Sequence, residues 1–306
     1  GSSHMSTEKS FDQDFMKGVA CILLSTIGIS LFGLFSKFGL DGTPFFLITF
    51  LRFAIPFILL LPFSLAKYSI VQLWKATNWK IQWLRSGCVL VYQYSFFYFL
   101  NQQSLLDAAV LQNTSPLFIL IFESLFHRQR LNMLALFSIA ISFIGVLCIL
   151  QPDLGVISRF SLVGFLIPVA LAGSQVIYSH QVLHAPQQST LFFLFFLCSI
   201  FTGVFYLFSG ELFQTSTYGH TSSFLHLWIL LGMGVTSIFN QSFRGFAYRY
   251  ARPSILAPFS YVALLFSGLF DWLIFNRLPN LWSGLGLALV IIGSVVQFYG
   301  KKRSIS

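Results

Sequence analysis

Charge is what this sequence has least of. Asp, Glu, Lys and Arg make up 9% of its 306 residues, against about 25% in a soluble domain, and the acids number only nine. With 56% hydrophobic residues and a mean hydropathy of +0.78, so little charge excludes a water-soluble globular domain. Cysteine is nearly as scarce. Cys21, Cys88, Cys148 and Cys198 all fall in apolar runs at no metal-like spacing, which argues against a disulfide framework or a zinc site and leaves free buried thiols. His127, His180, His184, His220 and His226 lie near the ends of such runs or between them and form no ligand pattern, so neither a metal nor a cofactor is expected.

Apolar length is what the chain has instead. Ten runs approach the roughly 20 residues a helix needs to cross a hydrocarbon core about 30 Å thick. They cover 16–36, 44–66, 85–103, 106–126, 132–151, 161–180, 189–208, 225–247, 254–275 and 281–299. The expected fold class is an all-α integral membrane protein with ten transmembrane helices. The opening "GSSHM" reads as a cloning remnant. Residues 1–15 are then expected to form an N-terminal tail and 300–306 a basic C-terminal one, with no cleavable signal peptide visible. Between the second and third runs, "KYSIVQLWKATNWKIQWLR" (67–85) mixes lysine with tryptophan, the composition of an interfacial helix.

The net charge of +9 invites a nucleic-acid reading, but its distribution along the runs argues otherwise. With the N-terminus cytoplasmic, Lys9, Lys17, Lys67, Lys75, Lys80, Arg85, Arg128, Arg130, Arg249, Arg252, Lys301, Lys302 and Arg303 collect inside. Only Lys37, Arg159 and Arg277 lie outside. This positive-inside bias sets orientation and leaves no nucleic-acid partner to explain. Both termini are expected in the cytoplasm, and the lipid bilayer, a bacterial inner membrane, is the expected surrounding.

The ten runs divide into halves, 16–151 and 161–299, that resemble one another weakly. Laid without gaps, 115–146 against 263–294 pairs Phe122 with Phe270, Asn132 with Asn280, Gly145 with Gly293 and Glu123 with Asp271. The acidic pair is the telling one in a chain with nine acids. Five runs per half mean that the second half enters the membrane from the other side. Inverted repeats of this kind are a common ground plan of secondary carriers, with a site near the midplane.

Four charges remain inside the runs: Arg52, Glu123, Arg244 and Asp271. By depth they sort into an outer layer of Lys37, Arg52 and Asp271 and an inner layer of Glu123 and Arg244. These are the expected gating or coupling residues, Asp271 pairing with Arg52 or Lys37, with static ion pairs and proton coupling through either carboxylate left open. Tyr94 and Tyr98, Gln112 and Asn113, Ser174, Gln175 and Tyr178, Asn240 and Gln241, and Tyr261 are the candidate substrate-binding residues. Taken singly each suits an interhelical hydrogen bond, but as a set they make a polar and aromatic midplane cavity. Pro116 and Pro258 are placed to break the fourth and ninth helices beside it.

Four stretches, "SKFGLDGTPFFLITFLRF" (36–53), "LLDAAVLQNTSPLFILIFESLFHRQRLN" (105–132), "FRGFAYRYA" (243–251) and "ARPSILAPFSYVALLFSGLFDWLIFNRLPNLWSGLGLALVIIGS" (251–294), resemble the EamA-type members of the drug/metabolite transporter superfamily. The resemblance implies ten helices in two inverted five-helix repeats and transport of small metabolites such as amino acids, sugars, nucleotide sugars or S-adenosylmethionine. It implies for Lys37 and Arg52 the family's recurring basic pair, for Pro116 its helix 4 proline and for Ala257 to Tyr261 its helix 9 signature. The family's Gly-Glu pair after helices 4 and 9 is here Arg128-Gln129 and Asn276-Arg277. The expectation is a secondary carrier for a small polar metabolite, an amino acid or amino-acid derivative, working by alternating access. Uptake of S-adenosylmethionine or a nucleotide-like metabolite is the alternative. No run offers the residues of an intramembrane enzyme, and ten spans with no selectivity-filter sequence speak against a receptor or channel. A homodimer stays open.

Overall fold

The computed structural model describes residues 2–127, 133–150, 159–213 and 224–305. Among them the chain is helical: α1 (Ser2–Gly42), α2 (Phe45–Lys67), α3 (Ile70–Lys75), α4 (Trp79–Gln102), α5 (Leu105–Gln112), α6 (Ser115–His127), α7 (Met133–Leu150), α8 (Arg159–His184), α9 (Gln187–Phe208), α10 (Phe224–Tyr250), α11 (Pro253–Leu256), α12 (Val262–Leu273) and α13 (Leu281–Ile305). Short 3₁₀ turns cover Glu211–Phe213 and Ala257–Tyr261. Among the described residues six stretches are long and apolar enough to cross a bilayer: Gln13–Gly42, Phe45–Lys67, Leu105–Phe126, Ser161–His184, Gln187–Phe208 and Phe224–Tyr250. Leu136–Cys148, Phe259–Leu273 and Leu281–Gly293 are apolar but shorter.

Glycine sets how closely the helices pack. α1 and α10 run antiparallel, so that Ser25 meets Asn240 and Gly39 lies by Leu230. A Cβ on Gly28 would come within 2.8 Å of the Phe239 ring and 2.9 Å of the Asn240 amide nitrogen, so no side chain fits there without parting the pair. α4 packs on α8, α2 on α9 and α7 on α13, while α5 lies against α12. The central core gathers Phe96, Phe97, Val110, Leu111, Ile167 and Met233.

The segment expected to lie at the interface is in two parts. Only Ile70–Lys75 forms a separate helix, closed by a capping box between Ser69 and Gln72 and pinned by Leu73 among Phe192 and Phe193. From Trp79 the chain is already inside α4, which carries Arg85 into the core at 1% exposure rather than to the headgroups.

Two further helices are split rather than kinked. α5 stops at Gln112 and α6 resumes at Ser115, with the Thr114 amide donating to the Leu111 carbonyl and the Leu117 amide to that of Thr114 in tight 3₁₀ fashion. Pro116 then sits in the first turn of α6, where its missing N–H costs nothing. Between α11 and α12 the 3₁₀ segment Ala257–Tyr261 plays the same part.

The turn from α4 into α5 leaves first-turn amides that need acceptors, and Asp271 of α12 supplies two of them. Its Oδ1 accepts from the Leu105 amide at 3.2 Å and its Oδ2 from the Leu106 amide at 2.6 Å. The Ser104 hydroxyl accepts from the Asp107 amide and the Ser104 carbonyl from that of Ala108, so every amide of the first turn has an acceptor. The expected ion pair to Arg52 or Lys37 is therefore not the arrangement. Lys37 instead donates from Nζ to the Leu100 and Gln103 carbonyls at 2.7 and 2.8 Å, closing the end of α4. The two charges complement opposite helix ends across one turn, negative at an N-terminus and positive at a C-terminus. Glu211 does for α2 what Asp271 does for α5, accepting from the Phe46 and Leu47 amides at 3.0 and 3.1 Å. Pro44, at the N-cap of α2, has no side-chain group to do so.

Just beyond α12, Asn276 has a left-handed φ of 52°, and the Arg277 amide returns to the Asp271 carbonyl at 2.8 Å. Asparagine is the residue other than glycine that most readily takes this left-handed conformation. This gives a reason why Asn276 can stand where the EamA pattern has glycine. The matching Arg128-Gln129 lies outside the described residues.

Replacing Asp271 with alanine strands two buried amides and should lower stability by roughly 2–4 kcal/mol. Asp271→Asn, which keeps one acceptor oxygen, should fall between. Thermal unfolding in detergent measures both, and an Asp271→Ala protein as stable as the parent contradicts this role.

Candidate functional site

Helices α1, α2, α4, α8 and α10 enclose a central cavity lined by Phe32, Arg52, Arg85, Tyr92, Ser174, Gln175, Tyr178, Ser237, Asn240, Gln241 and Arg244, with Ile29 and Leu171. It adjoins a second compartment reaching the helix breaks, where Gln112, Asn113, Ser115, Pro116, Ala257 and Ser260 face Tyr248, with Arg244 and Gln175 common to both. Their volumes are about 30 and 20 Å³, room for water and not for a metabolite, so a substrate enters only when helices part.

Three arginines from three helices define the chemistry. Arg52 of α2 donates from Nε to Gln93 Oε1 at 2.9 Å, and its guanidinium lies 4.7 and 4.6 Å from the rings of Phe32 and Phe53. Arg85 of α4 stacks 3.8 Å over the Tyr178 ring and donates to Gln181 Oε1 at 3.4 Å and Gln241 Oε1 at 3.3 Å. Gln181 is itself held through Gln82 at 2.9 Å. Arg244 of α10 donates from Nη1 to the Tyr248 hydroxyl at 3.2 Å. Every one of these partners is a neutral amide, a phenol or a ring, and no carboxylate lines either compartment among the described residues. Arg52 Nη1 and Arg85 Nε are buried without a hydrogen-bond partner.

The backbone of α10 is the fixed reference for this layer. Successive carbonyls accept from other helices: Asn240 from the Ser25 hydroxyl, Gln241 from the Tyr178 hydroxyl at 2.8 Å, and Ser242 from Gln187 Nε2 at 2.8 Å. Gly245 makes this approach sterically possible, since a Cβ there would collide with the Tyr178 hydroxyl and the Gln187 amide.

At the end of α6 and α8 that carries Phe126 and His184, a cleft of about 400 Å³ is lined by Ile81, Leu84, Glu123, Phe126, His180 and His184, among others. Tyr248 and Pro253 line both this cleft and the second compartment, so one layer of side chains divides them. A further cleft of about 180 Å³ near the start of α5 shares no lining residue with either compartment.

The sequence expectations divide along these lines. Gln112, Asn113, Ser174, Gln175, Tyr178, Asn240 and Gln241 come together around the two compartments, with Arg52 and Arg244. Tyr94 does not join them. It turns to Phe45, Phe46 and Phe205 on the other face of α4. Tyr98 and Tyr261 are likewise absent from the lining, Tyr261 packing against the central core. Arg85, Tyr92, Gln93, Gln181 and Tyr248 are the residues that sequence reasoning missed. For α4 a signal existed: Gln82, Arg85, Val89, Tyr92, Gln93 and Phe96 recur at helical spacing on one buried face.

Comparison with known proteins agrees with this architecture. Residues 16–151 match the EamA-like transporter family. The pseudopaline exporter of Pseudomonas aeruginosa is 25% identical over 69% of this chain and 72% of its own. A riboflavin transporter of Brucella anthropi is 24% identical over 83% of this chain and 87% of its own. The S-adenosylmethionine uptake transporter of Rickettsia prowazekii is 24% identical over 95% and 96%. A solved crystal structure, 18% identical, superposes with a TM-score of 0.62 over 96% of this chain and 99% of its own, which speaks to the fold alone.

Gly245→Ala should destabilise the protein by roughly 1–3 kcal/mol through overpacking against Tyr178. Tyr178→Phe removes the hydroxyl that the new methyl meets, so the double variant should recover part of the loss. A double-mutant cycle of melting temperatures checks this, and strict additivity would show that the two residues do not meet.

Proposed function

We propose that the chain is an EamA-type member of the drug/metabolite transporter superfamily, an integral membrane transporter of small metabolites, and specifically a secondary carrier for a small polar metabolite, an amino acid or amino-acid derivative, working by alternating access across the inner membrane. The observation that carries this reading is a tight polar cavity at the seam of two halves whose packing is interchangeable.

Let α1, α2, α4, α5 with α6, and α7 form one half, and α8, α9, α10, α11 with α12, and α13 the other. Exchanging the halves turns the α1–α10 contact into α8–α4, α1–α12 into α8–α6, α2–α10 into α9–α4 and α5–α12 into α11–α6, each of which is present. The α2–α9 and α7–α13 contacts map onto themselves. Such a pattern supports ten crossings as two inverted repeats, 16–151 and 161–299, that rock about the cavity. The cationic flanks at Lys67, Lys75, Lys80, Arg249 and Arg252 support both termini in the cytoplasm.

In this reading Tyr248, held by Arg244, is the inner gate, because it divides the second compartment from the 400 Å³ cleft. In this structure Asp271 and Lys37 are committed to helix ends and Arg52 to Gln93. Uptake of S-adenosylmethionine or a nucleotide-like metabolite is the second reading, favoured by a relative that matches 95% of this chain. Three arginines with no lining carboxylate weigh against a cationic cargo.

Counterflow tests the carrier. Proteoliposomes preloaded with unlabelled substrate from a panel of amino acids, nucleosides, sugars and S-adenosylmethionine should accumulate label of one class, saturably, and Tyr248→Ala should change the rate. Unsaturable flux would indicate a channel, and no exchange of any class by folded protein would set the carrier aside.

A further inference from the structure

Resting on the carrier reading, we propose that the central cavity binds a small organic anion bearing at least two negative charges, held by Arg52, Arg85 and Arg244 through carboxylate or phosphate oxygens. The inference begins from an imbalance. Elsewhere this chain compensates buried charge locally: Asp271 and Glu211 face helix N-termini, and Lys37 faces a C-terminus. At the cavity it does not. Three guanidiniums, 4%, 1% and 7% exposed, converge from α2, α4 and α10 with no carboxylate among the described lining residues.

Their neutral neighbours orient them without neutralising them. Gln93 fixes Arg52 and Gln181 with Gln241 fixes Arg85, while the rings of Phe32, Phe53 and Tyr178 hold the guanidinium planes. What these contacts leave over are donors, Arg52 Nη1 and Arg85 Nε, nine-tenths or more buried and without an acceptor. A planar fork of N–H groups matches the paired oxygens of a carboxylate or phosphate. One such group would engage Arg52 and a second Arg85 or Arg244, which is why the cargo needs two. The remaining wall, with Ser174, Gln175, Ser237 and Asn240, supplies neutral hydrogen bonds for the rest of a polar molecule.

The test uses the full-length protein in detergent and in proteoliposomes. Succinate, citrate, glutamate and glycerol 3-phosphate are compared with leucine, riboflavin and S-adenosylmethionine at matched ionic strength, in counterflow and in thermal unfolding. An anion should exchange and raise the melting temperature, the carboxylate and phosphate probes separating the two chemistries. Each of Arg52→Met, Arg85→Met and Arg244→Met should weaken its apparent affinity on the order of ten- to a hundredfold. Arg249→Gln, an exposed cation on the same helix as Arg244, should not. Because a buried arginine costs stability, the methionine variants should melt no lower than the parent without ligand, which separates lost binding from lost folding. Exchange of neutral or cationic members only, with no anion moving the melting temperature, overturns the anion site and leaves the carrier standing. An anion-dependent shift abolished in the arginine variants, with no exchange of anything, upholds the site and sets the carrier aside. Neither shift nor exchange overturns both.

Discussion

A bilayer offers no water to a bare amide or a lone charge, and that constraint governs this structure from its helix breaks to its cavity. Every helix that begins inside the protein leaves first-turn amides that need acceptors. At the start of α5 the protein meets this need with Asp271, a carboxylate from a helix more than 160 residues away in sequence (|i−j| = 165 and 166). Because that carboxylate binds two amides of α5, α12 and α5 are held in register at the same turn that Lys37 closes from the α4 side. One turn thereby ties together α1, α4, α5 and α12.

The same physics makes the central cavity expensive. Arg52, Arg85 and Arg244 sit among glutamines, phenols and rings that moderate their fields but carry no negative charge. A fold selected only for stability would place apolar side chains there, since a buried ion is repaid only by close, opposite partners. Retaining them is the trade of stability for binding that sites commonly make. The supports are arranged accordingly: Gly245 lets Tyr178 anchor on the Gln241 carbonyl, and the anchored ring carries Arg85.

Much of this was legible in the chain. Hydropathy marked where helices lie, because burying some 20 apolar residues is a property of composition. The scarcity of charge singled out Arg52, Glu123, Arg244 and Asp271. Arg85 escaped because it follows Lys80 and Trp83 at the mouth of α4, where composition suggests headgroups, yet its spacing from Gln82, Val89 and Tyr92 puts it on the buried face. Tyr94 misled for the complementary reason. It and Tyr98 do share a face, but not the face that lines the cavity against α8, and only the neighbours of a helix decide which face looks inward.

By itself, then, the sequence determined the medium, the helical class, the placement of the apolar runs and the residues whose charge demands a partner, since each follows from composition and local spacing. The tertiary structure alone decided the partners. Opposite charge at similar depth suggested that Asp271 meets Arg52 or Lys37, but a helix end is also a charge, invisible in composition until the helix breaks and its neighbour are known. Which cations share a cavity is decided in the same way. It depends on how three helices rotate against one another, a matter of packing among glycines and aromatic rings that no single segment encodes.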